Sequence, residues 1–229
     1  MNPLSMLVTA DSLHVRNQPS RAGASLGFVN REMAVEVTQI DDTGLWGKVN
    51  TNGMDGWCSL KHLLPAGAGA ARSPWLEVAH REIGVKERPG PDSHPRIYEY
   101  MATVDNLTQA DMVDDTPWCS CFVNWCVEQS GHNGTNHALA QSWKKWRSGK
   151  PADSVRPGSE TPALIGDIAV GQTKSPDSGK GHVGFFIAYD AAEDKLLLLG
   201  GNQSNAVRYS WYPRESNNPY GRLLTLRSL

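Results

Sequence analysis

Thr116-Pro117-Trp118-Cys119-Ser120-Cys121-Phe122-Val123-Asn124-Trp125-Cys126 is the stretch from which the rest of the chain can be read. Pro117 suits the first position of a helix, where its missing N–H costs nothing. Cys119, Phe122, Val123, Cys126 and Val127 then recur at the i, i+3, i+4, i+7, i+8 spacing of one apolar face. The spacing predicts a helix from Thr116 to a stop at Gly131, buried along that stripe, with a thiol at about its third residue. Backbone N–H groups have no intrahelical partner there and the positive end of the helix dipole is closest, so position alone predisposes Cys119 to ionise. The same N–H groups, that of Cys119 included, can hold the oxyanion that forms when a thiolate attacks an amide carbonyl.

Downstream, a Pro/Gly/Ser-rich connection from Gly149 to Pro162 gives way to strand patterns at Asp167 to Val170, His182 to Tyr189, Lys195 to Leu199 and Val207 to Tyr212. His182 opens an apolar strand that must lie in the sheet packed on the Cys119 helix. An imidazole at a strand's first residue sits at the sheet edge, within reach of the helix start, where a general base is needed. Gly179, Gly181 and Gly184 keep the backbone around it open to a substrate. A third group should accept from the far N–H of the imidazole. Asn202, after Gly200-Gly201 on the next strand, is the first candidate and Gln203 the second. Asp167 is a further candidate, although a carboxylate after a Gly turn commonly caps the turn. Trp118, Gly181, Gln203 and Asp167 are the expected substrate contacts, whereas Trp125, Trp143 and Trp146 are expected in the core.

Upstream, Ser73-Pro74 reads as N-cap and first helical residue, with Trp75, Leu76, Ala79 and Ile83 on one face and Gly84 as the stop. Pro89-Gly90-Pro91 is a loop, Pro95 to Met101 a helix, Asp111 to Asp115 an acidic lead-in and Leu139 to Trp146 a fourth helix. Helices first and antiparallel strands second make an α+β domain over 74–229. Residues 66–73, small and nearly uncharged, have the composition of a linker. Residues 1–65 alternate apolar and polar positions between turn signals such as Asp42-Thr43-Gly44 and Asn52-Gly53, which predicts a small all-β barrel with Cys58 as a buried, inert thiol.

The charge balance, 22 Lys+Arg against 24 Asp+Glu, offers no basic footprint for nucleic acid and no polybasic anchor. No apolar run reaches the roughly 18 residues of a membrane span, and the N-terminus lacks an export signal, so synthesis in the cytoplasm and no membrane insertion are expected. Four cysteines in 229 residues do not make a disulfide framework. Cys119 and Cys121, two apart on a helix, diverge, so neither a disulfide nor a zinc cluster with Cys126, His132 and His137 is expected. No Gly-x-Ser-x-Gly, His-Glu-x-x-His or P-loop occurs, and no cofactor is implied.

Two resemblances add to this reading. Leu13-His14-Val15-Arg16 with Pro19-Ser20, Val35-x-Val37, Trp46-x-Lys48-Val49 and Gly56-Trp57 with Leu63 resemble the bacterial SH3 domain, which implies attachment to wall peptide or glycan. Trp118-Cys119, Gly166-Asp167-Ile168 and Gly181-His182-Val183-Gly184, with a polar residue on the next strand, resemble the papain-like NlpC/P60 and CHAP superfamily of peptidoglycan peptidases and amidases over roughly residues 74 to 212. That resemblance implies Cys119 as nucleophile, His182 as base and Asn202 as orienter, with Cys121 standing where the family commonly has Ala. It also implies peptidoglycan as partner and amide hydrolysis as reaction. A stem-peptide endopeptidase comes first, then an N-acetylmuramoyl-L-alanine amidase. A wall-binding adaptor with an inactive domain is the alternative, against which the intact Cys, His and Asn argue. The expected setting is a phage lysin or an antibacterial effector, the latter with an immunity protein or secretion component as partner.

Overall fold

The computed structural model describes residues 3–67, 73–88, 93–113, 115–172, 181–215 and 222–229. Linker residues 68–72, Pro89-Gly90-Pro91, Asp114 and Gly179 lie outside them. The chain separates into two compact units, Met1–Ala68 and Gly69–Leu229.

The first unit is built of β1 (Leu4–Val8), β2 (Ser12–Arg16), β3 (Ser25–Asn30), β4 (Ala34–Ile40), β5 (Trp46–Thr51), β6 (Met54–Ser59) and β7 (Leu63–Pro65), in the sheet order β3-β2-β6-β5-β4-β1-β7. Period-two alternation sends Val15, Val29, Val35, Val37 and Val49 inward and their neighbours to solvent. Asn52 and Gly53, both at positive φ, make the tight turn between β5 and β6. Cys58 lies in this core, and burial pushes its thiol up to about 12, far from reactivity at neutral pH.

The second unit begins with α1 (Pro74–Arg81), α2 (Pro95–Met101) and α3 (Cys119–Gln129). Pro74 opens α1 as expected and Gly84 follows it at φ +95°. An antiparallel sheet comes next: β8 (Ser148–Pro151), β9 (Ile168–Gln172), β10 (Gly181–Asp190), β11 (Lys195–Gly200), β12 (Arg208–Pro213) and β13 (Arg222–Ser228), in the order β12-β11-β10-β9-β13-β8. One face receives α3, with the Phe122 and Phe185 rings 6.2 Å apart. The opposite face carries a second core of Val155, Ala169, Phe186, Leu196, Leu198, Leu223 and Leu226. Because strand side chains alternate, Val183 shares the α3 side with Phe185, and His182 shares the other side with Phe186.

Three expectations are corrected here. α3 starts at Cys119, not Thr116, because the Thr116 hydroxyl donates to the Asp111 carbonyl at 2.7 Å and Trp118, at φ −110° and ψ 14°, is still outside the helix. The fourth helix is a 3₁₀ helix, Ala140–Lys145, whose three-residue period turns Ala140, Trp143 and Trp146 inward together. Finally, β13 pairs with β9, and β8 with the outer side of β13, where a connection and no strand were expected. A register shift between Leu223 and Thr225 breaks the alternation by which β13 would have been read. Among the described residues, no helix is long and apolar enough to cross a membrane.

Candidate active site

Cys119 is the first residue of α3, and side chains on either side hold it there. The Trp118 indole N–H donates to Glu87 Oε1 at 2.8 Å. Ser120 Oγ donates to the His137 carbonyl at 2.7 Å and accepts from the Trp143 indole at 2.9 Å. Only 6% of Cys119 is exposed. The backbone N–H groups of Val183, the residue after His182, of Ser120 and of Cys119 itself act on the Cys119 sulfur. These amides pull the thiol pKa down, but burial pushes it up by more, and the net direction is upward. The helix terminus alone does not ionise this thiol in the resting protein, since removing a thiolate from water outweighs three N–H dipoles.

His182 pairs with Gly171 across β9 and β10. Its Nε2 lies 3.0 Å from Gln203 Oε1. Gln203 is 1% exposed, and its Nε2 donates to the Leu198 carbonyl at 3.3 Å and to the Arg208 carbonyl. Those two acceptors fix the amide, since rotating it would set its own oxygen against two carbonyl oxygens. Oε1 therefore accepts, His182 Nε2 carries the proton, and Nδ1 keeps a free lone pair. The far face of the imidazole stacks on Tyr212, centroids 5.0 Å apart and planes 24° from parallel. Burial lowers His182 to about 4, opposed by the Gln203 hydrogen bond. Both the thiol and the imidazole are thus uncharged at neutral pH.

The structure assigns different positions to the other expected residues. Asn202 sits at φ +54° in a turn whose Ser204 and Asn205 are also at positive φ, and it is Gln203, the second candidate, that this turn aims at His182. Asparagine tolerates the left-handed region at small cost, so its contribution here is to the backbone path. Trp118 is 0% exposed and packs under Gly201, where an added Cβ would come within 2.5 Å of its ring, so it is core rather than groove wall. Gly181 is glycine for close approach to protein: a Cβ there would meet the Gly171 carbonyl at 2.2 Å and Gln141 Nε2 at 2.4 Å. Asp167 is 1% exposed and engaged by Lys150 Nζ at 2.7 Å and the Leu164 N–H at 3.0 Å. It stands four residues before Gly171, about 13 Å along the strand at the usual rise, and serves the turn.

Two neighbours of the site carried no sequence signal. Tyr212 lies in an ordinary strand pattern, and only the β11–β12 register brings it to His182. Gln141 Nε2 donates to the Gly171 carbonyl at 2.8 Å, while its Oε1 is buried without a partner. Among the described residues no cluster of His, Cys, Asp and Glu is placed to hold a metal.

Residues 111–202 match the CHAP domain family and residues 11–64 the bacterial SH3 domain family. No curated protein matches the chain. Among solved structures, NlpC2 from Trichomonas vaginalis is 14% identical, with 98% of this chain and 72% of that one covered at a TM-score of 0.37. NlpC1 from the same organism is 14% identical, with 98% and 68% covered at 0.38. An NlpC/P60 family protein from Bacillus cereus ATCC 10987 is 12% identical, with 99% and 63% covered at 0.37. Residues 111–202, which take in the thiol-bearing helix and the whole β10–β11 hairpin, thus carry a CHAP domain behind a bacterial SH3 domain, the domain pairing of a cysteine-type peptidoglycan hydrolase.

Proposed function

We propose that the second domain cleaves an amide bond within the peptidoglycan stem peptide, with Cys119 as nucleophile, His182 as base and Gln203 as the residue that positions the base. One observation carries the reading. The backbone amide following His182 is close enough to the Cys119 sulfur to pull its pKa down, while the imidazole is held in the tautomer that leaves Nδ1 free to take a proton. Because the pair rests uncharged, the thiol proton has to leave as the sulfur attacks the carbonyl carbon; His182, whose side chain leaves β10 on the face opposite α3, takes it at Nδ1 through an intervening water. The carbonyl π electrons become an oxyanion that the free N–H groups at the α3 terminus hold. Collapse breaks the C–N bond, and the imidazolium gives its proton to the departing amine. A water deprotonated by His182 then cleaves the thioester and restores the thiol. The first domain holds the protein on the wall during these steps. We place the activity in phage lysis or in attack on a competing cell. A holin gene or an immunity gene beside this one distinguishes the two.

Digestion of purified peptidoglycan followed by mass spectrometry of the muropeptides tests the proposal. An endopeptidase yields new amino termini inside the stem. An amidase yields a free lactyl carboxyl and an intact stem, and would replace the present bond assignment. Cys119→Ala is expected to be silent; clearing of the wall by that variant would remove Cys119 from its role. A wild-type protein that binds wall without releasing fragments would make the chain an adaptor.

A further inference from the structure

We propose that Tyr212 is a positioning residue for the His182 imidazole: its ring fixes the plane of the base and keeps water off one face. The inference rests on the reading of His182 as the base. The Nε2 to Gln203 Oε1 contact of 3.0 Å sets where one ring atom lies, yet a single hydrogen bond leaves the ring free to pivot about its own axis. The Tyr212 ring, 5.0 Å away and 24° from parallel, fills the space through which that pivot would sweep. Tyr212 owes its place to the sheet, since it pairs with Leu196 across β11 and β12. An edge bond and a stacked face together leave the imidazole one orientation.

A second observation concerns water. His182, Tyr212, Leu196, Leu198 and Arg222 border a cavity of about 20 Å³, room for a single water. The phenol ring closes one wall of it, so truncation would join the cavity to the space the ring vacates and hydrate the imidazole. The groups facing His182 from the surrounding elements are few. Gln203, in the turn after β11, is neutral. Arg222 on β13 borders the cavity, Cys119 on α3 lies beyond the Val183 amide, and Gly171 on β9 adds nothing ionisable. Burial is the leading cause that holds His182 near 4, so hydration moves it toward the ordinary value of 6.5, with the Arg222 charge limiting the rise.

The test uses the full chain in two forms. In a Cys119→Ala background, the His182 ring is titrated by NMR with Tyr212, Tyr212→Phe, Tyr212→Leu and Tyr212→Ala. With Cys119 intact, kcat and KM are measured on a soluble muropeptide. Tyr212→Phe keeps the flat ring, so its midpoint stays near 4 and kcat stays within about twofold. Tyr212→Ala and Tyr212→Leu raise the midpoint by about one to two pH units and lower kcat about tenfold to a hundredfold at nearly constant KM. If thermal melting shows that Tyr212→Ala does not fold, Tyr212→Leu, which keeps apolar bulk without a flat face, carries the test. An unmoved midpoint in both truncations overturns the proposal, as does a Tyr212→Phe protein that behaves like Tyr212→Ala, or a change in KM alone, which marks a substrate contact. A wild type inactive on wall material, with the midpoint shift intact, sinks the hydrolase mechanism and leaves the positioning role standing.

Discussion

Exchanging Gln203 for Met keeps the side-chain length and deletes both polar atoms. Three hydrogen bonds disappear: from His182 Nε2 to Oε1, and from Nε2 of Gln203 to the carbonyls of Leu198 and Arg208. A buried imidazole N–H left without an acceptor costs about 1 to 3 kcal/mol. Each carbonyl, which keeps a second lone pair, loses less than about 1 kcal/mol, so the variant should be less stable by about 2 to 4 kcal/mol. Catalysis suffers separately. With nothing to reward a proton on Nε2, the two neutral tautomers come close in energy and the ring can turn. At 1.36 kcal/mol per factor of ten, losing about 1.5 to 3 kcal/mol of orientation lowers kcat by about tenfold to a hundredfold. KM should barely move, because Gln203 is buried behind the base and meets no substrate. The comparison is Asn202→Gly, which relieves a left-handed residue at φ +54° and should keep the wild-type rate within about twofold. Initial rates of fragment release, normalised to the folded fraction from a urea melt, decide the matter. A Gln203→Met protein at wild-type rate beside a crippled Asn202→Gly protein would restore Asn202 as the orienter and refute the argument from the amide geometry.

Acid should loosen the fold through His182. Its folded pKa, near 4, lies below the unfolded value of 6.5, so the unfolded chain binds more protons in between. The stability that depends on a neutral imidazole is complete above pH 6.5 and is lost as pH falls, by up to about 3 kcal/mol at pH 4. Urea midpoints against pH should fall more steeply for wild type than for His182→Gln, and equal slopes would contradict the burial argument. Asp167→Ala should strand the Lys150 ammonium, whose side chain is 17% exposed, at a cost of about 3 to 5 kcal/mol, while leaving the rate per folded molecule unchanged. A full-strength fold with a lost rate would return Asp167 to the site.

Much of the organisation was legible because it depends on local chemistry. Apolar residues alternating at period two between Gly and Asn turns mark the first domain. The run of small residues after Pro65 marks a change of unit, and α1, α2 and the four strands from β9 to β12 follow their own periodicity. The helix of Cys119 and the strand of His182 were legible for the same reason. Where periodicity was interrupted the reading failed. In β13, Leu223 and Leu226 face one core three residues apart because a register shift intervenes, and in Ala140–Lys145 the spacing of Ala140, Trp143 and Trp146 fits a 3₁₀ turn as well as an α-helix.

The amino-acid sequence by itself determined that a thiol lies near the start of a buried helix and that an imidazole lies near the start of an apolar strand, since both follow from residue spacing within a dozen positions. Which amide meets that imidazole was decided only by the tertiary structure. Asn202 and Gln203 are adjacent in the chain, and three left-handed residues around them turn the second inward and leave the first on the turn. Charge was decided there too. A helix terminus favours a thiolate, but the surrounding protein removes the water that would stabilise either ion, and that desolvation exists only once β9 to β12, α3 and the 3₁₀ turn have closed around the pair.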